Sequence, residues 1–140
     1  MAKRFLVEAD GGSRGNPGVA ASGTVVIDAD TGEIVAEIGR YLGIATNNVA
    51  EYTGMIAGLE KAFALDPTAT VHVKMDSKLV VEQMSGRWKV KHPDMQKLAE
   101  HARELIGHSA VTFEWVPRAR NARADAVANR SMDLKASFGE

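Results

Sequence analysis

Alternating hydrophobic and polar positions predict three β-strands in the first third of the chain. Phe5, Val7 and Ala9 fall on one side of the first strand, and a Gly-rich stretch at 11–18 predicts a loop after it. A short turn at 30–32 joins the next two strands, which we therefore expect to form an antiparallel hairpin. The three predicted strands cover residues 4–10, 19–29 and 33–42.

The hydrophobic period then changes to that of an amphipathic helix. Val49, Tyr52, Ile56, Leu59 and Phe63 follow one another at spacings of three and four residues. The remaining predicted elements are a helix at 47–65, a strand at 70–75, a short helix at 77–84, a basic connection at 85–92, a helix at 93–106, a strand at 111–116, a basic loop at 117–123 and a helix at 121–135. Three early strands followed by helix–strand units predict an α/β fold, with one mixed five-stranded sheet and helices on its faces.

Length and composition indicate one globular domain over residues 1–140, and the predicted elements span its core at about 4–135. Hydrophobic residues make up 45% of the chain, but no apolar run is long enough for a membrane helix or a secretory signal. The absence of cysteine excludes disulfides and thiolate zinc sites. We therefore expect a cytoplasmic protein that does not bind membranes.

The net charge of −1 hides an uneven distribution along the sequence. Residues 1–82 carry 7 basic and 11 acidic side chains, whereas residues 83–125 carry 8 basic and 5 acidic ones. An acidic part followed by a basic part is compatible with a cation-binding region beside an anion-binding one.

Four carboxylates lie at predicted element boundaries. Asp10 and Asp76 end strands, and Glu51 and Asp125 lie in the first turns of helices. If the two strands are parallel neighbours, their carboxyl ends bring Asp10 and Asp76 together. Each residue alone has a simpler interpretation as a turn, cap or helix-dipole residue. Clustered carboxylates, however, repel one another unless cations bind, and Mg²⁺ or Mn²⁺ prefers such oxygen ligands.

Four sequence segments together resemble type 1 ribonuclease H over nearly the whole chain. They are DGGSRGNPG at 10–18, ATNNVAEY at 45–52, MDSKLVVEQM at 75–84 and WVPRARNARADAVAN at 115–129. The resemblance implies a ribonuclease H-like fold and an endoribonuclease that cuts the RNA strand of RNA–DNA hybrids. The implied products carry 5′-phosphate and 3′-hydroxyl ends. We expect the protein to be a monomer.

The segment WKVKHPD at 88–94 is further similar to the actinobacterial branch of this family. In that branch the domain is often fused to a phosphatase-like domain. Such a domain is then a possible partner in the full-length protein, or it is absent.

The resemblance also implies roles for particular residues. The catalytic and metal-binding residues, which would hold two Mg²⁺ ions with Mn²⁺ as an alternative, are Asp10, Glu51, Asp76 and Asp125. The implied substrate-binding residues are Gly11, Gly12, Asn16, Thr46, Asn47, Asn48, Trp88, Lys89, Lys91, Arg118, Arg120 and Asn121.

Two features depart from the family pattern. The basic handle that many members insert is missing, and Trp88, Lys89 and Lys91 in the short connection are the candidates to replace it. The loop histidine before the last acid is also missing, and Arg118 or Arg120 occupies that loop. Arginine can hold a phosphate but does not shuttle protons, because its pKa is above about 12.

Three alternatives remain open from the sequence. The chain could be a hybrid-binding module with weak or lost catalysis, although all four acids are present. It could be another nuclease of the same superfamily, such as a resolvase or integrase relative. It could also be a structural α/β domain that mediates protein contacts, since a fold alone does not define a function.

Overall fold

The computed structural model describes residues 1–140. Its five strands are β1 (Arg4–Arg14), β2 (Gly18–Asp28), β3 (Ile34–Ala45), β4 (Thr70–Met75) and β5 (Val111–Trp115). Its four α-helices are α1 (Asn47–Leu65), α2 (Lys78–Met84), α3 (Pro93–Ile106) and α4 (Ala122–Leu134). A short 3₁₀ turn, Arg118–Arg120, precedes α4. No helix is long and apolar enough to span a membrane.

The strands form one mixed sheet in the order β3-β2-β1-β4-β5. The first three strands are antiparallel, and β4 and β5 run parallel to β1. This arrangement confirms the predicted fold class.

Helices cover both faces of the sheet. On one face, residues of β1 and β4 pack with α1 and α3 in the main core, which includes Val7, Val73 and Leu59. On the other face, α4 packs on β2, where Val127 belongs to one small cluster with Val25 and Ile27. Strand β2 is buried on both sides, and this explains its nearly continuous apolar sequence.

The largest error in the predicted boundaries is at the end of β1, and β3 also runs past its predicted end at residue 42, to Ala45. The Gly-rich residues 11–14 continue β1 instead of forming a loop, because they pair with residues 19–22 of β2. Only residues 15–17 form the turn, where Gly15 has a φ of 92°. Glycine and serine favour turns locally, but here the ladder of backbone hydrogen bonds determines the structure.

Candidate active site

Asp10 and Asp76 lie side by side at one edge of the sheet. Strands β1 and β4 are parallel, and Ala9 pairs with Met75 in their register. Asp10 and Asp76 follow this pair, so their carboxylates lie together at the carboxyl end of β4, where ligand sites form in such sheets.

Helix α1 brings Glu51 to the same edge because it lies unusually close to β1. A Cβ on Gly11 would lie 2.2 Å from the carbonyl carbon of Ala50 and 2.3 Å from the backbone nitrogen of Glu51. Glycine is thus required here by packing. The start of the helix is fixed by Thr46, whose hydroxyl accepts a hydrogen bond from the backbone N–H of Val49 at 3.3 Å.

A second close approach positions Asp125 at the start of α4. A Cβ on Gly23 would lie 2.2 Å from the carbonyl oxygen of Ala124 and 2.3 Å from the backbone nitrogen of Ala128. Because β2 has no side chain at this point, α4 lies directly on the sheet. Asp125 in the first turn of α4 then faces the same region as Asp10.

All four carboxylates line one cleft of about 370 Å³. The other lining residues are Gly11, Gly12, Ser13, Arg14, Asn47, Arg118, Ala128, Asn129 and Met132. Sequence reasoning did not single out Ser13, Arg14 and Asn129. Ser13 and Arg14 lie within the segment DGGSRGNPG, and Asn129 ends the segment WVPRARNARADAVAN, so their presence in these segments was the available signal.

Burial and mutual repulsion shift the titration of this cluster. Asp10 is only 8% exposed. Its burial, followed by the charge of Asp76 and its contacts with Asp125, raises its pKa to about 8. Burial also raises the pKa of Glu51 to about 7; the charge of Asp76 adds to this rise, and a hydrogen bond from Ser77 opposes it. The site therefore resists carrying its full negative charge without a counter-ion.

The residues of the cleft fit a hard divalent cation by the chemistry of their donors. All four groups offer carboxylate oxygens. Burial raises the pKa values of Asp10 and Glu51, the charge of Asp76 raises them further, and a cation would offset both effects. The side chains are not arranged as a complete coordination shell, since no group of three or more His, Asp or Glu is placed to hold a metal ion.

The position of Asn121 differs from the expected substrate contact. Its side chain is 1% exposed, and its amide donates to the carbonyl oxygen of Ala9 at 2.9 Å and to Asp76 Oδ1 at 3.1 Å. Its own Oδ1 has no hydrogen-bond partner. Because Asn121 is buried behind the carboxylates, it orients Asp76 and is not available to bind a polymer.

The asparagines near the start of α1 hold the β1–β2 turn against the helix. Asn47 Oδ1 accepts from the backbone N–H of Ser13 at 2.7 Å, and Asn16 Oδ1 accepts from the backbone N–H of Asn47 at 3.2 Å. These bonds use only the side-chain carbonyl oxygens, so the side-chain amide groups of both residues remain available, and Asn47 lines the cleft. Asn48 is half-buried beside them.

The basic candidates lie at different distances from the carboxylates. Arg118 lines the cleft, whereas Arg120 does not. Trp88, Lys89 and Lys91 are grouped with Arg87 around a separate depression on the surface. Of the two loop arginines, the structure therefore brings only Arg118 to the acids.

Comparisons with known proteins agree with this architecture. A family model described as reverse transcriptase-like matches residues 8–131. A Mycobacterium tuberculosis protein named "Bifunctional protein Rv2228c" is 57% identical over 134 residues, which are 95% of this chain and 36% of that protein. A protein of Acidithiobacillus ferrooxidans named Ribonuclease H is 30% identical over 146 residues, covering 94% of this chain and 89% of that protein.

Two solved structures are similar to this one. The N-terminal RNase H domain of Rv2228c, determined as a fusion with maltose binding protein, has a TM-score of 0.90 and 56% identity, covering 95% of this chain and 96% of that chain. LC11-RNase H1 in complex with an RNA/DNA hybrid has a TM-score of 0.88 and 36% identity, covering 94% and 98%.

The mixed sheet, with its carboxylates at the end of the central parallel strands, defines a protein of the ribonuclease H fold. The chain belongs to the reverse transcriptase-like family, and within it to the type 1 ribonucleases H. It spans 36% of the length of the mycobacterial relatives that it matches.

Proposed function

We propose that this chain is an endoribonuclease that hydrolyses the RNA strand of RNA–DNA hybrids and leaves 5′-phosphate and 3′-hydroxyl ends. The observation that carries the proposal is the convergence of Asp10, Glu51, Asp76 and Asp125, from four different parts of the chain, on one cleft. LC11-RNase H1, which is 36% identical to this chain, was solved in complex with an RNA/DNA hybrid, and this supports the substrate class.

The carboxylates would hold divalent metal ions, and Mg²⁺ is the proposed ion. Asp10 is the central ligand in this proposal, because the charges of both Asp76 and Asp125 act on it. Bound ions would supply Lewis-acid assistance to the attacking water and to the leaving 3′ oxygen. The chain itself keeps the acids in position, and Asn121 holds Asp76 through a 3.1 Å hydrogen bond.

Recognition of RNA would use the groups at the cleft edge, since the 2′-hydroxyl distinguishes RNA from DNA locally. The free amide N–H groups of Asn16 and Asn47 can donate to hydroxyls and base edges. The backbone of Gly12, which lines the cleft, and Asn48, which follows Asn47 in the chain, are the other proposed contacts. Arg118 would bind a phosphate near the acids, because a guanidinium can make two parallel hydrogen bonds to it.

The DNA strand of the hybrid would contact a second group of residues. Thr46, Trp88, Lys89 and Lys91 lie outside the cleft, and the last three surround one shallow depression. Lysines there would neutralise phosphates and Trp88 would stack on a base or sugar, so binding should be largely independent of sequence and sensitive to salt.

Wider properties of the whole protein belong to the same proposal. A second domain is supported by the word "Bifunctional" in the name of the mycobacterial relative, and its phosphatase-like nature remains a prediction from the resemblance. A monomeric state and a cytoplasmic location remain predictions from the sequence.

A direct assay tests the proposal. Labelled RNA–DNA hybrid, RNA duplex and DNA duplex are each incubated with Mg²⁺, with the protein or with its Asp76→Asn variant. We expect the wild type to cut only the RNA strand of the hybrid, and we expect no cleavage by the variant or in a chelator. Asn at position 76 keeps an oxygen that can accept the hydrogen bond from Asn121, so the variant tests charge and not packing. Hybrid binding without cleavage would support a binding module instead.

A further inference from the structure

A buried chain of hydrogen bonds joins α1 to the connection between α2 and α3. The hydroxyl of Tyr52, which is fully buried next to Glu51, donates to Gln83 Oε1 at 2.6 Å. The side-chain amide of Gln83, itself 4% exposed, donates to the carbonyl oxygen of Lys89 at 3.2 Å. Two side chains thus connect the helix that bears Glu51 to the middle of a surface loop.

Other hydrogen bonds hold the backbone of the same loop. Gln96 donates to the carbonyl oxygen of Val90 at 3.0 Å, and the backbone N–H of Trp88 donates to the carbonyl oxygen of Glu82 at 3.1 Å. We call residues 88–91 the basic segment. The carbonyl oxygens of residues 89 and 90 are both held by hydrogen bonds, and Trp88 and the two lysines are exposed around one depression.

We infer that Gln83 is a positioning residue for hybrid binding, which fixes the basic segment relative to the helix that carries Glu51. This inference rests on the proposed function, since it concerns how the same substrate is held. A rigid link matters here because the segment is short and has no regular secondary structure. Without a link, ordering it on each binding event would cost conformational entropy.

The buried pair could instead serve the fold alone. Each polar group is satisfied by the other, and removing both partners of such a pair can be nearly neutral for stability. A purely structural role predicts a change in unfolding temperature only. A positioning role predicts weaker binding of the hybrid, while the rate at which the bound hybrid is cut stays the same.

The test compares the wild type with Gln83→Met, which keeps the side-chain length and removes both hydrogen bonds. We expect the KM for the hybrid to rise about five- to tenfold, from the loss of a typical net hydrogen bond, while kcat changes less than about twofold. The dissociation constant of a fluorescent hybrid, measured by anisotropy in EDTA, should rise by a similar factor. Tyr52→Phe, which leaves the bond to Lys89 in place, should give a smaller rise.

Ser131→Ala is the matched control for stability. Ser131 is fully buried and donates to the carbonyl oxygen of Ala136 at 2.7 Å, and it does not line the cleft. Its loss should lower the unfolding temperature without changing KM or affinity. If Gln83→Met behaves like this control, or lowers kcat alone, the inference is wrong.

A spectroscopic readout is independent of catalysis. The chain has two tryptophans, so in a Trp115→Phe background the fluorescence reports on Trp88 alone. Adding Gln83→Met should increase quenching by acrylamide, because the segment loses a restraint; unchanged quenching would contradict the inference. A wild-type protein that cuts no hybrid would overturn the proposed function, whereas the quenching comparison would still decide whether Gln83 restrains the basic segment.

Discussion

Replacing Asp10 by Asn should stabilise the folded protein when no divalent cation is present. The carboxyl of Asp10 is 8% exposed and lies with Asp76 and Asp125 in one cleft. These surroundings raise its pKa from 3.8 to about 8. Folding therefore disfavours the charged form, and the amide of Asn removes that penalty while keeping the shape of the side chain.

The sign of the pH dependence follows from this shift. Below about pH 4 the carboxyl is protonated in both the folded and unfolded states, so the two proteins should differ little. Between about pH 4 and pH 8 the folded state binds the extra proton, and the stability of the wild type falls as pH rises. The full shift corresponds to an upper limit of about 6 kcal/mol at about 1.36 kcal/mol per pKa unit. Because relaxation and water entry reduce such penalties, we expect a gain of about 2–4 kcal/mol above about pH 8.

Urea unfolding in EDTA at about pH 5 and about pH 9 measures this difference. Asp10→Asn should gain stability over the wild type mainly at the higher pH, and Mg²⁺ should then stabilise the wild type more than the variant. Asp66→Asn is the control, because hydrogen bonds from the backbone N–H of Lys3 and from Thr68 lower the pKa of Asp66, so its removal should not stabilise. An Asp10→Asn variant that is no more stable than the wild type at high pH would refute the reasoning.

Three further predictions follow from the packing and the charges. Gly23→Ala should lower the stability of the fold by about 2–3 kcal/mol or prevent folding, because the new methyl group would meet α4 backbone atoms at 2.2 and 2.3 Å. Thermal unfolding measures this loss. Gly12→Ala is the tolerated control, because the atom nearest to its new methyl group is 3.8 Å away. Asn121→Ala removes the hydrogen bond to Asp76 and should lower the stability by about 1–3 kcal/mol in an unfolding assay. In kinetic assays it should reduce kcat more than it raises KM. The double variant Lys89→Ala/Lys91→Ala should bind hybrid more weakly and lower the slope of log K against log salt by about 1.5, measured by anisotropy. A Gly23→Ala protein as stable as Gly12→Ala, an unchanged kcat in Asn121→Ala, or an unchanged salt slope would each contradict the corresponding argument.

Patterns that depend on one element were predictable from the sequence. The spacing of Val49, Tyr52 and Ile56 predicted α1, and the carboxylates at element boundaries suggested where the elements meet. The four acids converge only if β1 and β4 are parallel neighbours. The sequence left this as an assumption, and the pairing of β1 with β4 in the structure shows that it holds.

Features that depend on pairing or burial were not predictable. The Gly-rich residues 11–14 look like a loop because their strand propensity is low, and only the partner strand β2 makes them part of the sheet. Asn121 looked like a substrate contact in a basic loop, yet it is buried behind Asp76. Gln83 lies in a short helix, and its two partners come from other segments of the chain. Long-range contacts of this kind leave no local periodicity.

The central claim is that the clustered acids act as one hydrolytic centre. Single-turnover cleavage of a labelled hybrid with Mg²⁺, measured for Asp10→Asn, Asp76→Asn and the double variant, tests it most directly. If the two acids serve one centre, the double variant should cut the RNA strand no more slowly than the slower single variant. Losses that multiply in the double variant, or a wild type that leaves the RNA strand intact, would contradict the account.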